Sequence, residues 1–239
     1  MNKVIRAEFG RTINAGLIIA IAGIIFSICF DSFNDLIAGL RNGQGYVGYF
    51  FSNAAFGGMC THYMLPVFTA LPFSVSLCQE RNNKAVSYIV SREGKNRYIF
   101  AKFIVSAISG GFVAACGTVL LFLMLAMRFP IAGDEFEGAV VSDYFHEWSA
   151  VYYPQLYILT LSILAFCRGV IWSSLALCVS LYTSDFMVVL LSPFLGSYVL
   201  VRIFQIIRVP DMVRPDMILI GQVVIKSSGL TLLIAIAIS

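Results

Sequence analysis

Charged side chains are scarce in this chain: they make up 12% of its 239 residues against 59% hydrophobic ones, and the mean hydropathy is +0.86. So little polar surface cannot keep a globule of this size in water, which excludes a soluble domain and points to an all-α integral membrane protein. Histidine is scarcer still. His62 and His146 fall in different segments, and no metal centre is expected. The six cysteines, Cys29, Cys60, Cys78, Cys116, Cys167 and Cys178, form no C-x-x-C pair and sit in or beside apolar runs, where they read as small packing residues. Also missing are a G-x-x-x-x-G-K-S/T loop for nucleotide phosphates, an H-E-x-x-H zinc helix and a G-x-S-x-G nucleophile elbow. The nearest polar candidates for catalysis, His62, Glu80, Arg168 and Ser197, come from separate segments at unrelated spacings. The chain is therefore not expected to be an enzyme or to hold a cofactor of its own. A net charge of +3 implies no nucleic-acid partner.

Apolar runs are what the chain has in abundance. Crossing a hydrocarbon core takes about 20 helical residues, which leaves room for roughly six spans and no separate soluble domain. The runs predict spans at 13–30, 58–77, 100–127, 153–182, 186–207 and 217–239. Residues 1–12 place Val4, Ile5 and Phe9 among Lys3, Arg6 and Arg11, and form either an amphipathic interface helix or simply the basic flank that orients the first span. That first run is too long for a signal-peptide core and no A-x-A-like site follows it, so it is expected to be retained. Proline removes a backbone donor and kinks a helix, so Pro66 and Pro72 predict a bent second span and Pro193 a distorted fifth. Small residues from Ser106 to Gly117 predict close helix packing in the third.

The fourth run exceeds a hydrocarbon core by roughly half, which calls for a tilt, a projection or a break. Arg168-Gly169 lies near its middle. Three placements are open to Arg168: on a translocation path, paired inside a helix bundle, or lifted to an interface by a helix break. The final run ends in IAIAIS without a basic flank, so either that span is unusually terminated or a short tail belongs after it.

What charge there is lies unevenly. Between the second and third runs, Arg81, Lys84, Arg92, Lys95, Arg97 and Lys102 face only Glu80 and Glu93, whereas Asp134, Glu135, Glu137, Asp143 and Glu147 crowd the stretch after the third. The bias toward basic residues on the inner side puts the first of these, and the N-terminus, in the cytoplasm. Asn83 to Val90 has helical character and Gly94 is available to stop a helix. A short helix presenting Tyr88, Ile89 and Val90 among charges suits docking on a soluble partner. An ordinary basic loop accounts for the charges and leaves those apolar residues unexplained.

A bent apolar span running into Glu80-Arg81, then Ser91-Arg92-x-Gly94-x-x-Arg97-Tyr98, then Lys102 at the start of the next span, resembles the membrane subunits of ATP-binding-cassette exporters of the second permease type. Trp172 to Leu177 and Ser192-Pro193-Phe194 look similar to that family's fourth and fifth spans. The resemblance implies six transmembrane helices, an N-terminal interface helix and a short cytoplasmic coupling helix within 79–99. It further implies a permease in the bacterial cytoplasmic membrane, sharing a translocation path with a second copy or a related permease. Separate ATPase subunits would hold ATP and Mg. Docking on them would fall to Glu80, Arg81, Lys84, Tyr88, Ile89, Arg92, Arg97 and Tyr98, with Arg6, Glu8 and Asp185 as secondary contacts. His62, Arg168 and Arg202 are expected on the path or as buried polar groups. Sparse charge suggests an amphipathic peptide, drug or lipid-like substrate, and stand-alone bacterial permeases of this kind look like parts of peptide-toxin, resistance or immunity systems. The competing expectation is a non-transport scaffold or assembly protein whose basic loop recruits a cytoplasmic partner.

Overall fold

A computed structural model of the chain describes residues 8–10, 12, 14–42, 47, 58–73, 76–130, 154–210, 214–220 and 228–239. Among them the regular elements are all helical: α1 Ala15–Asp31, α2 Phe33–Asn42, α3 Met59–Ala70, α4 Ser76–Asn82, α5 Ala85–Glu93, α6 Lys95–Ala126, α7 Pro154–Ser180, α8 Phe186–Ile207, α9 Pro215–Ile220 and α10 Ser228–Ile238. α6, α7 and α8 are long and apolar enough to cross a bilayer, and α1 with α2 makes a fourth if the pair is one span broken by a 72° bend. The described residues are those of an all-helical membrane protein.

Local chemistry sets the element ends. The Asn14 side chain accepts from the Leu17 amide at 3.1 Å and caps α1. At its far end the Ser32 amide donates back to the Ile28 carbonyl at 3.1 Å before the chain bends into α2. The stretch between the first two expected spans thus begins as a helix, with Asp35 in its first turn and Arg41 in its last, each at the end its charge favours. α3 has only 12 residues, about 18 Å of rise against a core of about 30 Å. Pro66 stays inside α3, whereas Pro72, which has no N–H to continue the ladder, lies in the turn at 71–73 that separates α3 from α4. The expected second span, 58–77, is therefore two helices. The expected sixth, 217–239, appears as α9 and α10 on either side of 221–227, which lie outside the described residues. The count of six spans is not reproduced among the described residues.

α6 and α7 form the centre of the bundle, and they touch backbone to backbone. A Cβ on Gly169 would lie 2.4 Å from the Gly110 carbonyl oxygen, so this crossing admits no side chain. Ser106 Oγ donates to the Ser173 carbonyl at 3.2 Å along the same seam. The small-residue run predicted to pack does so, with Ser106, Ser109, Gly110, Gly111, Ala114 and Gly117 buried. α7 continues as one helix through Arg168-Gly169, so the glycine serves close approach and no break occurs. Around the seam, Ile24 and Ile28 of α1 join Val113 and Leu121 of α6 and Leu161 and Leu164 of α7 in one apolar core. α8 runs on through the buried Pro193 and leaves Met187, Leu195, Ile206 and Ile207 exposed along its outer face.

Candidate functional site: a short helix tethered beneath the bundle

α6 is 32 residues long, about 48 Å of rise against a core of about 30 Å, and its first two turns hold Lys95, Arg97 and Lys102. Those turns carry the site. Before them the chain leaves α4 through Lys84, whose φ of 55° is left-handed, forms α5, and reverses at Gly94 with φ of 84°. The Gly94 amide donates to the Val90 carbonyl at 2.9 Å, closing α5 where sequence placed its stop.

One face of α5 is spoken for. Val86, Ile89 and Val90 pack on the buried Leu77, Tyr98 and Leu177, which come from α4, α6 and α7. The expectation that Tyr88, Ile89 and Val90 are presented together is corrected: Ile89 and Val90 turn inward, and Tyr88 alone stands out at 78% exposed. The helical period of 3.6 puts residue 88 on the opposite side from 86, 89 and 90.

Beneath this helix lies a buried charge cluster. Lys102 is 1% exposed, and its ammonium donates to Glu8 Oε2 at 2.9 Å, Glu80 Oε1 at 2.8 Å and Ser76 Oγ at 3.2 Å. An ammonium has three donors, and all three are used. The Tyr98 hydroxyl donates to the second oxygen of Glu80. Two i,i+4 pairs face each other here: Ser76 and Glu80 on α4, Tyr98 and Lys102 on α6. The Phe73 ring sits 4.8 Å from the ammonium and completes the enclosure. Glu8 precedes α1 in the chain, so a single lysine joins three separate segments.

A second tie runs sideways. Arg81 donates to the carbonyl oxygens of Ser180 and Leu181 at 3.0 Å each, and Asn82 Nδ2 donates to the Ser184 carbonyl at 3.3 Å. α4 is thereby fastened to the turn between α7 and α8. Asp185 in that turn accepts from the Met187 amide at 2.9 Å and caps α8.

The residues expected to act together thus divide. Glu80, Arg81, Tyr98 and Glu8 make internal bonds, whereas Lys84, Tyr88 and Arg97 are exposed and Ile89 is half-buried. Arg6 and the Arg92 side chain lie outside the described residues. His62, Arg168 and Arg202 are not part of this site. His62 meets Tyr63 edge to face at 4.9 Å, and Tyr63 packs toward Phe194 and Tyr198 of α8. Arg202 is exposed and lies over the Tyr198 ring. Among the described residues no group of three His, Cys, Asp or Glu side chains is arranged to hold a metal.

Lys102 is the residue whose role sequence reasoning missed. The signal was partial: a lysine inside an apolar run must be compensated, and Tyr98 stands one helical turn before it, but Glu80 and Glu8 come from other segments. No protein-family model matches the chain, and neither a curated protein nor a solved structure does.

Proposed function

We propose that this chain is the membrane-spanning permease subunit of an ATP-driven exporter. In this reading α5 is the coupling helix, and Tyr88 with the exposed Lys84 and Arg97 forms the surface that meets a separate ATPase subunit carrying ATP and Mg. The observation that carries the reading is the Lys102 cluster. A small helix with one exposed aromatic, packed on three helices and standing over a buried ion network, has the connections a mechanical input needs. Displacing α5 would load α6 and the segment before α1 through Lys102, and the α7–α8 turn through Arg81. Interiors this densely packed shift between discrete arrangements rather than yielding smoothly, so such a load is passed on.

Six spans, a cytoplasmic N-terminus and a bacterial cytoplasmic membrane belong to the same proposal, supported by the exposed bases around α5 and the rule that inner loops are basic. The exposed apolar face of α8 suits lipid or a second permease, either another copy or a related chain, with which the translocation path would be shared. An amphipathic peptide, drug or lipid-like cargo is in keeping with so few charges.

The test is to purify the tagged full chain from its native membrane in mild detergent. The proposal expects a stoichiometric partner with a phosphate-binding loop and Mg-dependent ATP hydrolysis. A stable cytoplasmic partner without nucleotide dependence would replace it with the scaffold reading.

A further inference from the structure

Within the bundle sits a buried cation that is paired with no carboxylate among the described residues. Arg168 on α7 is 6% exposed and lines a small cavity of about 20 Å3 together with Thr61 of α3, Thr118 of α6 and apolar side chains of α1, α3, α7 and α9. Among the described residues, no ion pair or hydrogen bond reaches its guanidinium. A guanidinium does not give up its proton in a protein, so the charge cannot be relieved by neutralisation. An unpaired charge within a span is among the least favourable arrangements a membrane protein can hold.

The nearby ionisable groups do not supply the missing charge. His62 is within electrostatic reach of Arg168, Arg214 and Asp216. Arg214 and Asp216 close on each other, with Nη2 to Oδ2 at 2.7 Å and Nε to Oδ1 at 3.3 Å, and so cancel. Asp31 spends its carboxylate on the Cys60 and Thr61 amides, so among the described residues no carboxylate pairs with Arg168.

The cavity wall adds a donor. Thr61 is 2% exposed, and its Oγ1 is buried without a hydrogen-bond partner. Its backbone amide is fixed by Asp31 at 2.6 Å, which holds the residue at the cavity. Thr118 Oγ1 already donates to the Ala114 carbonyl at 2.9 Å and has no proton to offer. Arg168 and Thr61 bring unspent donors to a wall whose other polar group, Thr118 Oγ1, has only lone pairs to offer, and a cation beside a free hydroxyl is the chemistry of an anion site. The volume exceeds the roughly 10–15 Å3 that a single water needs and is far too small for an organic acid.

We propose that this cavity binds one small monovalent anion of the halide class, held by the Arg168 guanidinium and the Thr61 hydroxyl. The ion would bridge α3 and α7 and act as the counter-ion of Arg168, fixed in place rather than transported. The proposal does not depend on the exporter reading.

The full chain in detergent would be unfolded by heat in sodium chloride, sodium bromide and sodium gluconate at equal ionic strength. A saturable rise of the unfolding temperature with chloride and bromide is expected, absent in gluconate. Arg168→Met should abolish the halide dependence. Thr61→Val, which keeps the charge and guards against an Arg168 variant that fails to fold, should raise the half-saturating concentration by about 2- to 10-fold, the value of one hydrogen bond. Equal unfolding temperatures in all three salts would overturn the proposal and leave the cavity to water. Halide dependence that survives Arg168→Met, or is unmoved by Thr61→Val, would also overturn it.

Discussion

Arg81 donates to the Ser180 carbonyl at 3.0 Å, so the residue that leads from α4 toward α5 also satisfies the end of α7. The last carbonyls of a helix have no partner within it, and a cation there is favoured by the helix dipole. Because Arg81 is exposed, solvent screens much of the gain. Arg81→Ala is expected to cost about 1 kcal/mol, a fall of roughly 2–4 °C in unfolding temperature for a chain of this size, with Arg81→Lys recovering part of it. Thermal unfolding of the purified variants checks this, and a Lys variant no better than Ala would mean that the bonds contribute nothing.

The Lys102 cluster is more demanding, because Lys102, Glu8 and Tyr98 are buried. Lys102→Met would leave the carboxylates of Glu8 and Glu80 enclosed without their ammonium, at an expected cost of about 3–5 kcal/mol. The triple variant Lys102→Met, Glu8→Gln, Glu80→Gln removes all three charges and should be more stable than Lys102→Met alone. Denaturant titration of the two decides it. If the triple variant were the weaker, the lysine would matter for packing more than for charge.

Much of this was legible in the sequence, and the parts that were not have physical reasons. α8 begins and ends where expected because an apolar run is bounded by a capping Asp185 and by Arg208, which takes a left-handed turn. α5 and its stop at Gly94 were legible for the same kind of reason. Pro72 misled, since one proline inside an apolar stretch reads as a bend, and here it falls in a turn that separates two helices. Arg168-Gly169 misled in the opposite sense: a charge and a glycine suggested a possible break, but Gly110 on the neighbouring helix shows that the glycine is there for contact. The Lys102 cluster joins residues 8, 80 and 102, and no local pattern reveals which segments lie side by side.

That contact gives a sharp pair of substitutions. Gly169→Ala would drive a methyl to 2.4 Å from the Gly110 carbonyl oxygen, backbone that cannot step aside, and is expected to prevent normal packing of α6 on α7. At Gly196 the nearest atom to an added Cβ is Trp172 Cζ3 at 3.4 Å, and Ala there should be neutral or stabilising by up to about 1 kcal/mol through helix propensity. Monodispersity in detergent and unfolding temperature distinguish the two. Equal tolerance would place the glycine seam elsewhere.

Asp31 and Gly58 should prove coupled. The Asp31 carboxylate accepts from the amides of Cys60 at 2.9 Å and Thr61 at 2.6 Å, capping α3 from the end of α1. A Cβ on Gly58 would sit 2.1 Å from Asp31 Oδ2 and displace it. Asp31→Ala is expected to cost about 1 kcal/mol. Because both changes break one contact, a double-mutant cycle should show the pair costing less than the two singles together. Simple additivity would show that Gly58 serves some other purpose.

The central claim is that α5 delivers the input of a separate ATPase, and Tyr88 tests it most directly, since it is an exposed aromatic on a helix whose Val86, Ile89 and Val90 pack inward. The measurement is the rate of Mg-dependent ATP hydrolysis by the complex purified from native membranes, with and without Tyr88→Ala. The account predicts hydrolysis in the wild-type complex, its loss or uncoupling from transport in the variant, and an unchanged unfolding temperature for the membrane chain. A variant complex that hydrolyses ATP and exports its cargo at the wild-type rate would contradict it.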